Sequence, residues 1–274
     1  RNFWLEYFLK CPMYQKENWI DFEGEISEVM KSIDADMKDE NFCGQVHKLT
    51  HEYLNHYYLC TVDECGKISK ITYKGLRDEL LKDLNRLIRI LEIYLCSYVE
   101  TIPCNEILPD IQNICADKII SFNYTDTYRK LYDQNKMADY DFIHGKTVKV
   151  RSVEENDMVL GIDEYLSKKR KNKDLEFIAF KKFYQRIYKQ TGCRYKEWLK
   201  EDGRYNYLHE KDRHLFIFGH SLDVTDKDIL RELILHDRVD TTIFYFNKDD
   251  LGSKIANLVR VIGQDELVRR TGER

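Results

Sequence analysis

Three short runs end in residues able to do chemistry. Lys118-Ile-Ile-Ser-Phe122 leads into Asn123, Tyr124, Thr125 and Asp126; Asp141-Phe-Ile143 leads into His144 and Gly145; Leu215-Phe-Ile-Phe218 leads into Gly219, His220, Ser221 and, two residues on, Asp223. An apolar run closing on small or polar residues is the pattern of a buried strand that presents functional groups at its carboxyl end. An amide such as Asn123 can orient a water or a hydroxyl. An imidazole such as His144, with an ordinary pKa of ~6.5, can take a proton from it near neutral pH. The Gly219-His220-Ser221 turn lets backbone and hydroxyl donors approach a phosphate or a ribose.

Each group also has a plainer reading. An Asn after a strand commonly satisfies its own turn, and His144 before Gly145 equally suits a hydrogen-bonded core histidine. His220 could pack under the turn while Gly219 supplies a close backbone approach. Ser221 lacks the Gly-x-Ser-x-Gly setting of a hydrolase nucleophile, which argues against a covalent serine mechanism. Cys43, His47 and His51 share a helical face at four-residue steps, but the motif is not His-Glu-x-x-His and no metal is expected. Asp21, Glu23, Glu25 and Glu28 fit an acidic helix start.

The elements that must position these groups fall into two halves. Residues 1–100 read as successive helices, near Ile20 to Ile33, Phe42 to Leu59 and Leu76 to Tyr98. In the last, Leu80, Leu84, Leu87, Leu91 and Leu95 form a core-facing stripe. Pro103 and Pro109 close this half. From about Ala116 the pattern changes to strands at Lys118–Phe122, Asp141–Ile143, Met158–Leu160, Leu215–Phe218 and Thr241–Phe246. Helices alternate with them near Thr127–Asn135, Leu175–Lys200, Thr225–His236 and Leu251–Ile262. The alternation predicts an α/β domain with a largely parallel, Rossmann-like sheet over residues 111–274, and a helical lid or insertion over 1–110. Thr225-Asp-Lys-Asp228 has the form of a capping box at a helix start.

Composition limits the partners. The chain's 44 basic and 48 acidic residues leave a formal charge of -4, so no global field draws it to nucleic acid or anionic lipid. Phe177, Phe180, Phe183, Tyr184, Ile187 and Tyr188 lie beside Lys181, Lys182 and Arg186, a mixture that can stack bases. Their spacing fits an apolar helix face with snorkelling edges better. Lys168–Lys173 reads as a solvated loop. Eight cysteines without a C-x-x-C pair, no signal peptide and no apolar run of transmembrane length predict reduced thiols, a cytoplasmic location and no membrane contact. A homo-oligomer is compatible with the sequence, although no interface is legible in it.

The order Trp19-Ile-Asp-Phe-Glu23, Ser121-Phe-Asn-Tyr-Thr-Asp126, Ile143-His-Gly145, Val159-Leu-Gly-Ile-Asp163 and Phe218-Gly-His-Ser-Leu-Asp223 resembles the bacteriophage abortive-infection AbiH family across nearly the whole chain. The strand-end motifs are also remotely similar to sirtuin-like domains, several of which hydrolyse NAD in antiphage defence. The resemblance implies an antiphage effector that binds NAD or a related nucleotide and cleaves its nicotinamide–ribose bond. Asn123 and His144 would be catalytic. Tyr124, Thr125, Asp126, Gly145, Gly219, His220, Ser221 and Asp223 would bind the nucleotide. Such families usually open with a strand and a Gly-Asn-Gly-Phe-Asp type loop, which is not found before Trp4, and Arg1 is not an initiator Met. The expectation is that the first strand and its Gly-rich loop lie upstream of the given chain. Thr125 stands where sirtuin-like domains carry the Asp of Asn-x-Asp, with Asp126 one residue later. The alternative, from a different class, is a nucleotide-liganded sensor that recognises a phage component without catalysis.

Overall fold

The computed structural model describes residues 2–10, 21–36, 60–62, 68–70, 73–104, 106–135, 137–167, 169–200 and 213–272. These divide into two compact units, Arg1–Cys193 and Arg194–Arg274. The helical region expected over residues 1–110 lies wholly within the first.

The first unit is built around helices α1 (Phe3–Lys10), α2 (Phe22–Asp36) and the 25-residue α3 (Tyr73–Ser97). Each begins or docks through a specific polar contact. Asn2 caps α1 by accepting from Leu5 N (3.1 Å), and Asp21 caps α2 by accepting from Gly24 N (2.9 Å). The Trp4 indole, fully buried, donates to the Leu80 carbonyl at 2.9 Å, pinning α1 to α3. The leucine stripe of α3 faces the core as its spacing predicts: Leu80, Leu84 and Leu87 are buried, while Leu91 and Leu95 pack at its margin. Phe3, Trp4 and Phe8 from α1 and Ile26, Met30 and Ile33 from α2 complete this apolar layer against Met158, Leu160, Ile162, Phe177 and Phe180. An antiparallel hairpin, β1 (Cys60–Val62) with β2 (Ile68–Lys70), interrupts the expected run of helices. The β-branched residues Thr61, Val62 and Ile68 suit strands better than a helix.

After the short α4 (Pro109–Gln112), which starts on a proline at its first turn, β3 (Lys118–Ser121) pairs in parallel with β4 (Asp139–Phe142) across α5 (Thr127–Leu131). Ser121 faces Phe142 in this register, and the pairing extends one residue through Ile143 N donating to Ser121 O at 2.8 Å. The second unit repeats the theme. It carries α7 (Tyr195–Lys200), β5 (Arg213–Ile217) parallel to β6 (Val239–Ile243), and helices α8 (Lys227–Ile234), α9 (Lys248–Ile262) and α10 (Gln264–Gly272). Ile229, Leu230, Leu233 and Ile234 of α8 and Leu258, Val261 and Ile262 of α9 are buried in it, with Tyr195, Ile217, Leu222 and Val239. The molecule is thus a mixed helix and strand protein in which, among the described residues, each unit holds a short parallel pair of strands.

Three expected elements differ. Met158–Leu160 is buried but is not a strand, because side chains rather than a neighbouring strand satisfy most of its backbone. Met158 N donates to Asn156 Oδ1 (2.8 Å), and Leu160 N and O bond the Gln185 amide (3.1 Å each). The helix expected over Leu175–Lys200 is divided into a 3-10 turn (Ile178–Phe180), α6 (Lys182–Lys189) and α7. Gln190 in the left-handed conformation ends α6, and Thr191 N closes it on Arg186 O. The capping box at Thr225 does not form: Asp223 accepts from Thr225 N (3.1 Å) to cap a 3-10 turn, and α8 starts only at Lys227.

Candidate functional site

In the first unit the parallel pairing of β3 and β4 sets two strand ends side by side. Asn123 lies on the turn after β3, where Ser121 Oγ accepts from Asn123 N (3.2 Å) and donates to Asn123 O (3.1 Å). The Asn123 side chain is exposed and makes no hydrogen bond among the described residues. His144 follows β4 and is only 7% exposed. Its ring meets the edge of Phe122 (centroids 5.8 Å apart) and lies obliquely to Tyr124 (6.4 Å), so the two aromatics flanking Asn123 both rest on His144. Tyr124 in turn donates its hydroxyl to Val159 O at 2.7 Å.

Thr125 Oγ1 lies 3.2 Å from Thr127 Oγ1. Asp126 Oδ2 pairs with Lys146 Nζ (2.5 Å) and more distantly with Arg129 (3.6 Å), while Asp126 Oδ1 is buried without a hydrogen-bond partner among the described residues. A surface depression of about 420 Å³ opens beside it, lined by Asp126, Arg129, Lys130, Asp133 and Gln134. The Arg129 guanidinium stacks 4.0 Å above the Tyr140 ring.

Gly145 has φ +78°, and a Cβ there would sit 2.3 Å from the Asp157 carbonyl oxygen. No other residue fits, because the chain at 157–159 runs directly against the strand end, where Val159 N donates to His144 O at 2.8 Å. Behind this contact lies a buried ionic group that the strand-end pattern does not announce. Glu92 of α3, fully buried, accepts from Val148 N (2.9 Å) and Asn156 Nδ2 (2.5 Å) and pairs with Arg151 and Arg89. Arg151 also reaches Asp157 (2.7 Å) and Lys146 O (2.7 Å). Burial alone would raise the Glu92 carboxyl. The hydrogen bonds from Arg151, Val148 N and Arg89 outweigh it and hold the group below its ordinary value. Nearby Lys189 donates to Met158 O (2.5 Å), and desolvation lowers its pKa to about 8. A sequence signal for Glu92 existed: it is a charge among Ile88, Leu91 and Leu95 on a core-facing helix, a position that demands a buried partner.

The carboxylates of α2 are occupied on the same unit. Asp21 caps its helix, Glu23 pairs with buried Lys182 (2.8 Å), and Glu25 accepts from Tyr7 Oη (2.6 Å). Lys182 and Arg186 are themselves buried on α6, whereas Phe183, Ile187 and Tyr188 are exposed, so the apolar face expected there is not the buried one.

The remaining predicted residues belong to the second unit. Gly219 (φ +64°) opens the turn after β5, and none of the described residues comes within 4 Å of the place where its Cβ would stand. His220 Nδ1 accepts from Leu222 N at 2.8 Å, so Nε2 carries the proton of the neutral ring and faces Asp226 Oδ2 at 3.6 Å. Leu222, fully buried, adopts φ +59°. Lys254 Nζ donates to His220 O and Asn257 Nδ2 to Ser221 O, each at 3.0 Å, and so α9 holds the turn by its carbonyls. Asp223 serves as the cap described above.

The sequence profile of the bacteriophage abortive infection AbiH family matches residues 2–247. The chain belongs to the AbiH family. That match spans the turns after β3, β4 and β5 and helices α1 to α6 of the first unit, and it carries a phage abortive-infection function for this AbiH protein. No curated protein and no solved structure matches the chain. Among the described residues of the AbiH chain, no three or more His, Cys, Asp or Glu side chains group closely enough to hold a metal ion, and no helix is long and apolar enough to cross a membrane. Cys43, His47, His51 and Trp19 lie outside the described residues.

Proposed function

We propose that this AbiH protein is a cytoplasmic antiphage effector that binds NAD or a related nucleotide at the β3 and β4 strand ends and hydrolyses its nicotinamide–ribose bond. The observation that supports the reading most is the seating of His144 beneath Phe122 and Tyr124, with the exposed, uncommitted amide of Asn123 between them in sequence. Hydrolysis converts NAD and water into nicotinamide, ADP-ribose and a proton. The C1′–nitrogen bond breaks with its electron pair leaving on nicotinamide, and water adds to the oxocarbenium-like ribose carbon. Asn123 would orient that water or a ribose hydroxyl, and His144 would accept the proton. A sirtuin-like character of these motifs and a Rossmann-like arrangement of the parallel strands are parts of the same proposal.

The second reading, a nucleotide-liganded sensor without catalysis, is favoured by one observation: His144 is buried, a state better suited to holding a turn than to meeting a substrate. Nicotinamide release from NAD by wild type, Asn123→Ala and His144→Ala, with and without phage lysate, separates the two. Release lost in both variants while NAD binding persists is expected for the enzyme. Binding without release by wild type under every condition selects the sensor, and neither binding nor release removes the nucleotide from both readings.

A further inference from the structure

We infer that Glu92 is the positioning residue for His144, acting from helix α3 through the loop 146–157. Three consecutive contacts make the connection. Glu92 Oε2 accepts from Asn156 Nδ2 (2.5 Å), Asn156 Oδ1 accepts from Met158 N (2.8 Å), and Val159 N donates to His144 O (2.8 Å). The Asn156 amide is thereby oriented at both ends, with its donor on the helix and its acceptor on the segment that flanks the strand end. A parallel route runs through Val148 N, which donates to Glu92 Oε1 at 2.9 Å, while Thr147 N donates to Tyr124 O at the same distance. One carboxylate thus fixes the loop after Gly145 at two places: residues 147–148 beside Tyr124, and residues 156–159 beside His144.

The carboxylate is suited to this task by its environment. It is fully buried, and Arg89 and Arg151 balance its charge, Arg89 also donating to Val148 O and Lys149 O (3.3 Å each). Arg89 shares helix α3 with this buried charge, whereas Arg151, Val148 and Asn156 all sit on one loop, so displacing the loop would strip the carboxylate of those three partners and the loop is held in a single geometry. Gly145 tolerates no displacement of residue 157 toward it, which holds the His144 backbone, while the Thr147 N bond to Tyr124 O holds a ring that packs on the imidazole. Helix α3 therefore governs the strand end, and any partner that shifts α3 would release His144. The functional meaning of this coupling rests on the reading of His144 as a site residue, whereas the coupling itself does not.

Hydrogen–deuterium exchange of the full chain without nucleotide tests it, in wild type, Glu92→Gln and Asn156→Ala. Asn156→Ala keeps the ionic group and cuts only the relay, so it decides the matter if Glu92→Gln unfolds. The expected result is exchange at least about tenfold faster across residues 142–160, with α2 unchanged and a displaced His144 imidazole resonance by NMR. Unchanged exchange across 142–160, or equal acceleration in α2, overturns the inference and leaves Glu92 as a general stabiliser. Nicotinamide release by the same proteins reads the proposed function separately: an inactive wild type would remove that function and leave the exchange result standing.

Discussion

Two strand ends in this molecule carry a glycine and a histidine side by side, and they use the pair for different physical reasons. At the end of β4, Gly145 is required by space, since the Asp157 backbone occupies the place of a side chain. His144 is held there by its carbonyl and by two aromatic rings. At the end of β5, Gly219 is required by its positive φ, with none of the described residues near its missing Cβ. His220 holds its turn with its own ring, through Leu222 N. The first end is built by close backbone packing from a distant segment and the second by hydrogen bonds, one of them local through the His220 ring and two reaching in from α9. Identical residue types therefore do not imply identical roles, and substitution separates the two.

The largest effect is expected from Gly145→Ala. The methyl group meets backbone rather than a flexible side chain, so the contact at 157–159 must open, and a destabilisation of about 3 kcal/mol or more is expected in chemical denaturation of the first unit. Gly219→Ala should cost only about 1–2 kcal/mol, because it has only the left-handed conformation to overcome. Equal losses at the two positions would remove the distinction between them. Asp223→Ala, which deletes the cap at Thr225, is expected to cost about 1 kcal/mol in the second unit, with Asp223→Asn recovering most of it.

Two pH effects sharpen the contrast. The Glu92 carboxyl is depressed in the folded protein, so its contribution to stability is present above the ordinary value of 4.5 and is lost as the pH falls below that. Acid should thus loosen the first unit through the loop at 146–157, a change readable as faster proteolysis there, and Glu92→Gln should flatten that dependence. Lys189 titrates near 8 instead of its ordinary 10.5, so between these values the unfolded chain holds more protons than the folded one. Stability should rise across that window, by at most about 1.4 kcal/mol per pH unit. A thermal melt series of Lys189→Met from pH 7 to 10.5 should lack the rise. The smallest effect is expected from Asn123→Ala on stability, within about 0.5 kcal/mol, because its exposed side chain makes no hydrogen bond among the described residues.

Much of the local structure was legible in the chain. The stripe Leu80, Leu84, Leu87 specified the buried face of α3, and the runs 118–122 and 215–218 specified parallel strands that end in Asn123 and Gly219. Less was legible wherever an apolar run had more than one way to satisfy its backbone. Met158-Val-Leu160 has a strand's composition, yet Asn156 and Gln185 take its amides from 2 and 25 residues away. The helix α6 illustrates a second limit: its aromatics have core spacing, but the first unit buries Lys182 and Arg186 instead, with Glu23 compensating the lysine from α2.

By itself, the sequence determined the periodicities, the turn residues and the AbiH membership, because these depend on neighbours within a few positions or on the order of motifs along the chain. Only the tertiary structure decided that Glu92 and Asn156 meet across 64 residues, that the chain at Asp157 closes on Gly145, and that His144 lies under Phe122 and Tyr124. The physical reason is the same in each case. A buried charge or a missing side chain records that a partner must exist, but which partner fills the place is fixed only when distant segments compete for the same volume.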